Sequence, residues 1–196
     1  MKNTFSILPI FFAVALFRAG DPPILFENSS FEGKPKPNAC PKNWSSYAPN
    51  STPDIQPGAW QVASPAAHDG DTYIGLIARE DGSCEDIGQP LAQPLKAGKC
   101  YIFSIWLAHA THYAGYSMPL RINVWGGATA GAKTQLLGAS GGVENEVWQE
   151  VKFQFTPAAD IRFITFEADY APGTMFKYKG NILLDHLSPI IKCDRA

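Results

Sequence analysis

CYIFSIWLAHATHYAGYSMPLRINVW, residues 100–125, is the stretch from which the fold can be read. Two runs rich in aromatic and β-branched residues, 100–109 and 120–125, flank a loop carrying Thr111, His112, Tyr113, Tyr116 and Met118, and Pro119 opens the second run. Such runs bounded by turn residues predict two neighbouring strands. In 120–125 the alternation is strict: Leu120, Ile122 and Val124 point one way, Arg121, Asn123 and Trp125 the other. A planar cation, an amide and an indole on one face suit a flat polar ligand that stacks and accepts hydrogen bonds. The dry alternative has Trp125 packed under a crossing loop and Arg121 paired with a carboxylate. In the first run Tyr101, Phe103, Ile105 and Leu107 form a core face, leaving Ile102, Ser104, Trp106 and Ala108 opposite.

The pattern extends outward in both directions. Residues 146–156 alternate Val151, Phe153 and Phe155 inward against Glu150, Lys152 and Gln154 outward. Residues 24–33 breaking into a turn, 59–63, 68–78 with a DGD turn at 69–71, 84–95 with a kink at Pro90, 134–140, 160–169 and 181–190 supply further strands. Aromatic residues at 12%, with 17 Gly and 16 Pro, fit many short strands joined by tight turns. About nine strands at even spacing predict an all-β chain, a β-sandwich or jelly roll. Residues 34–58 read as a long loop, because six prolines forbid a helix and a long central strand; it carries Trp44, Tyr47 and Asp54.

The first twenty residues have a positive start at Lys2, an apolar run over 7–17, and small residues at Ala19 and Gly20. That is signal-peptide architecture, too short to span a bilayer, so 21–196 are expected as one exported domain, in the periplasm, at the cell surface or secreted. Export makes Cys40, Cys84, Cys100 and Cys193 candidates for disulfides, in any of three pairings. A net charge of −2 with 17% charged residues leaves no basic field for nucleic acid.

Several segments stand in the order found in galactose-binding-like jelly rolls: ENSSFEG at 27–33, DGDTYIGL at 69–76, LKAGKCYIFSIWLA at 95–108 and NILLDHLSPI at 181–190. PDIQPG at 53–58, DGSCEDIGQ at 81–89 and LRINVWGG at 120–127 resemble secreted and surface-attached modules of Bacteroidetes-type bacteria. The resemblance implies a jelly-roll carbohydrate-binding module. It also implies a structural calcium held by Glu32 and Asp185, where the terminal strands meet. Such modules tend to carry Trp where Cys84 stands and lack Cys40, which implies an added Cys40–Cys84 bridge, with Cys100 pairing with Cys193 or remaining buried.

Catalytic signals are missing from the sequence. His68, His109, His112 and His186 are scattered, no GxSxG or HExxH occurs, and nothing selects a carboxylate pair from 18 acids. Two readings remain, each for a monomer. The first is a glycan-binding module whose wall is Trp125, Arg121 and Asn123 with Trp106, Tyr113, Tyr116 and Trp60. The second is a structural or adhesive module using the same patch on a surface protein or a companion domain.

Overall fold

The computed structural model describes residues 21–61 and 65–193; the expected signal peptide at 1–20 lies outside them. Ten strands are formed: β1 (Asp54–Gln56), β2 (Tyr73–Ala78), β3 (Asp86–Leu95), β4 (Tyr101–Ala108), β5 (Met118–Gly127), β6 (Gln135–Ala139), β7 (Gln149–Phe155), β8 (Ile161–Tyr170), β9 (Gly180–Asp185) and β10 (Ile191–Lys192). They make two antiparallel layers. The first runs β1–β2–β9–β4–β7, with β10 beside the start of β4. The second runs β3–β8–β5–β6. The layers touch where Met118 and Pro119 run parallel to Gly180 and Asn181. This is the sandwich the alternating runs predict.

The core fills the space between the layers with the inward residue of each alternation: Ile74 and Leu76, Phe103, Ile105 and Leu107, Leu120, Ile122 and Val124, Phe166 and Ala168, Ile182 and Leu184. Phe103 sits among the rings of Phe26, Phe153, Phe155 and Phe166 at 5.4–6.1 Å. Edge and offset contacts of this kind add to the apolar burial that drives the packing. A smaller cluster of Tyr73, Ile77, Ala108, Ala110, Tyr113 and Leu183 covers the outer face of the first layer. The loop after β4 roofs that face, which explains why a strand with two apolar sides, such as β2, is buried throughout.

Three expectations about the strands change. The 34–58 loop contains β1, because the Pro-rich flanks leave three residues free to pair with β2. The same loop braces an edge: Ser45 exchanges both backbone bonds with Gly88, and Trp44 is buried with its indole N–H donating to Asn28 O at 2.9 Å. Residues 59–61 form a 3-10 turn, and the N-terminal segment pairs through one bridge, Ile24 with Ile190. The kink expected at Pro90 is present, as the β3–β8 register shifts between Pro90 and Leu95.

Cysteine pairing is resolved in part. Cys100 and Cys193 are bonded, with Cα atoms 5.3 Å apart, tying the start of β4 to the end of β10. The expected Cys40–Cys84 bridge is not formed; both are free thiols, half-buried against the core. Burial raises both, Cys84 to about 11. The loop is held instead by Trp44 and the Ser45–Gly88 bonds.

Candidate cleft on the second layer

The outward residues of β3, β8 and β5 stand side by side. The pairings Asp86–Glu167–Asn123 and Gly88–Thr165–Trp125 form adjacent rows, and Arg121 lies opposite Asp169. They floor an open cleft of about 890 Å³. Tyr47 to Asn50, from the long loop, make one wall. Gly131 and Lys133, between β5 and β6, make another, and Gly82 to Cys84 with Tyr170 and Lys177 close an end. Gly131 has φ +70° and approaches Tyr47 so closely that a Cβ would lie 2.8 Å from that side chain. The two walls therefore meet.

Each polar group on the floor is held by another. Lys133 Nζ reaches Asp86 Oδ2 at 2.9 Å and Glu167 Oε1 at 2.7 Å. Burial alone would lower the Lys133 ammonium, but hydrogen bonds to those carboxylates outweigh it and hold it above the ordinary lysine value. Asp86, fully buried, also accepts the amides of Tyr47 and Ala48 at 2.8 and 2.9 Å, which fixes the wall to the floor. Trp125 Nε1 donates to Glu167 Oε2 at 2.7 Å, orienting the indole. Among the described residues no aromatic ring stacks on it. Asp169 accepts Arg121 Nη2 at 2.5 Å and Asn123 Nδ2 at 3.0 Å. Burial would raise its carboxyl, but these bonds outweigh it and hold it below the usual range. Asn123 is buried, and its Oδ1 is left without a hydrogen-bond partner.

The residues expected to form one wall divide between two faces. Trp125 and Asn123 line this cleft, and Arg121 lies just beyond it against Asp169. Of the dry alternative, the arginine does pair with a carboxylate, while the half-buried indole lines the cleft. Trp106 belongs to the first layer, where His68 stacks on it at 3.7 Å. Tyr113 is 2% exposed and donates to Asp54, serving as core. Tyr116 and Trp60 stand near Tyr113 and line a separate cavity that shares no residue with the cleft. Asp86, Lys133, Glu167 and Asp169 escaped the sequence reading, which singled out Tyr47 only as part of the long loop. The signal for two of them was present in 160–169, where Glu167 and Asp169 alternate with Phe166 and Ala168 in a strand that pairs with β5.

Glu32 and Asp185 both address the turn before β2. Glu32 Oε1 accepts the amides of Asp71 and Thr72 at 3.1 and 3.2 Å. Asp185 accepts those of His68, Asp69 and His186 at 2.7, 3.1 and 2.7 Å. Burial pushes the Asp185 carboxyl up to about 6 against these amides. Among the described residues no group of three or more His, Cys, Asp or Glu is placed to hold a metal ion. Backbone N–H groups thus bond Glu32 Oε1 and both Asp185 oxygens.

No protein-family model matches the sequence, and no curated protein matches it. The fold has solved counterparts. The CBM22-1 xylan-binding domain of Paenibacillus barcinonensis Xyn10C superposes with a TM-score of 0.55 at 16% identity, over 92% of this chain and 99% of that one. The K1 cleaved adhesin domain of Lys-gingipain from Porphyromonas gingivalis gives 0.52 at 14%, over 84% and 96%. An arabinose-bound α-L-arabinofuranosidase, MgGH51, gives 0.56 at 13%, over 87% of this chain but 26% of that one. The chain shares the β-sandwich jelly-roll fold of these domains, as its segment order implies.

Proposed function

We propose that this protein is an exported, non-catalytic glycan-binding module that seats a neutral polysaccharide chain in the cleft over β3, β8 and β5. The observation that carries the reading is the half-buried Trp125 indole, which lines the cleft and is held by Glu167. A fixed ring face stacks on a pyranose. Asp86, Glu167 and Asp169 are offset by Lys133, Arg121 and Lys177, so the site has little net field and suits an uncharged chain. Openness at the surface suits internal stretches of a polymer. The jelly-roll likeness to a xylan-binding domain supports the ligand class and makes xylan the first polymer to try.

Catalysis is not part of the reading. The floor carboxylates are tied to cations and an indole, and Asp169 is held ionised, whereas glycoside hydrolysis wants one carboxylic acid kept protonated opposite a free carboxylate. A second reading, adhesion to a protein, draws on Met175 and Phe176, 86% and 81% exposed beside the Arg121–Asp169 pair. Affinity electrophoresis through gels cast with xylan, arabinoxylan, mannan or mixed-linkage glucan tests the proposal. Retardation of the wild type and its loss in Trp125→Ala are expected. Free migration in every gel would favour the adhesive reading.

A further inference from the structure

The outer face of the first layer carries a feature that the cleft does not use. A cavity of about 290 Å³ lies over β1 and β2, lined by Asn38, Thr52, Asp54, Trp60, Arg79 and Tyr116 among others. That is near the lower end of the range for ligand pockets. Trp60 is 53% exposed and has φ +58°, a left-handed conformation that costs a large side chain on the order of 1 kcal/mol or more. Its ring is nevertheless fixed. The indole N–H donates to Asp54 Oδ1 at 3.2 Å, and Asp54 is itself 5% exposed.

Asp54 is anchored from two further directions, and one of those partners is braced in turn. Tyr113 Oη donates to Oδ2 at 2.8 Å, the Asn38 amide donates to Oδ1 at 2.8 Å, and Gln56 Nε2 donates to Tyr113 Oη at 3.3 Å. Burial and the Asp54 charge keep the Tyr113 phenol far above its ordinary value, so it stays a donor. An exposed indole that merely escaped the core needs no such scaffold. A strained tryptophan clamped by its nitrogen to a buried carboxylate presents one ring face in a set direction. Tyr116, half-buried, gives a second aromatic wall. Arg79 spends Nη2 on Glu85 and Thr52 while Nη1 has no hydrogen-bond partner. The acids Asp54 and Glu85 face one guanidinium, which disfavours an anionic ligand.

We infer that the Trp60–Tyr116 cavity is a second ligand site, on the opposite layer from the cleft, for a single neutral sugar residue such as the end of a glycan chain. The site shares a ligand class with the cleft but no residue, so either can exist without the other. The test follows indole N–H signals by NMR while the protein is titrated with methyl glycosides of glucose, galactose, xylose and N-acetylglucosamine. Trp60→Ala assigns the Trp60 signal. A saturable shift of that signal, retained in Trp125→Ala and weakened about tenfold in Tyr116→Ala, is expected from the loss of one ring face. Movement of Trp60 without movement of Trp125 would support this site and count against the cleft. A Trp60 signal unmoved by all four glycosides, or one that moves only while Trp125 is intact, would overturn the inference whatever the cleft binds.

Discussion

Lys133→Met removes the ammonium that joins Asp86 to Glu167 and keeps most of the apolar stem. Asp86 has no solvent contact, so its charge would remain beneath the cleft with two backbone amides and a neighbouring carboxylate for company. Breaking a fully buried ion pair by deleting one partner costs about 3–5 kcal/mol. Lys133 is about one quarter exposed, which screens part of that, and about 2–3 kcal/mol is the expected loss. For a domain of this size the melting temperature should fall by roughly 5–10 °C. Urea unfolding of the single variants and of Lys133→Met/Asp86→Asn closes a cycle. The double variant should be more stable than the sum of single losses by at least about 1 kcal/mol, because the stranded charge is gone. A Lys133→Met protein that melts with the wild type, or a strictly additive cycle, would refute the claim that this ion pair holds the cleft floor.

Gly75→Ala should destabilise by about 1–3 kcal/mol, since a Cβ there lies 2.2 Å from Tyr113 Oη and the ring is fixed by Asp54 and Gln56; the check is urea unfolding. Cys100→Ser/Cys193→Ser opens a link across 93 residues and should cost about 2–5 kcal/mol by the same measurement. Unreduced denatured protein should titrate two thiols per chain, Cys40 and Cys84; none would mean that they pair. Stability against pH should peak on the acid side. Asp185, raised to about 6, contributes stability that is complete below its unfolded value near 4 and is lost as pH rises through 6. Asp69 and Asp169, both lowered, contribute stability that is present above that value and lost as pH falls further. A melting temperature that rises steadily from pH 4 to 7 would contradict this sign.

The layers were legible because strand periodicity has a fixed meaning: with side chains alternating at every residue, Leu120, Ile122 and Val124 could share only one face, and that face is the core. The same rule put Arg121, Asn123 and Trp125 on the outer surface, where they are. Assigning Trp106, Tyr113, Tyr116 and Trp60 to the same wall failed, because periodicity gives a residue's side but not which layer its strand joins. β4 pairs with β7 and β9 in the first layer, whereas Arg121, Asn123 and Trp125 of β5 pair with β8 in the second. Lys133 was invisible for a related reason: it sits in a glycine-rich turn whose path over the sheet is set by the Gly131–Tyr47 contact, a tertiary fact. Glu32 and Asp185 do converge on one turn, as the meeting of terminal strands implied, but its amides occupy their oxygens.

The central claim is that the half-buried indole of Trp125, lining the cleft, is a recognition surface. Isothermal titration of soluble arabinoxylan and mixed-linkage glucan fragments into the wild type and Trp125→Ala tests it most directly, with melting curves run alongside. The account predicts measurable binding by the wild type and at least about a tenfold loss in the variant, with melting temperatures within a few degrees of each other. Equal affinity in the two proteins, or no uptake of any glycan by the wild type, would contradict it.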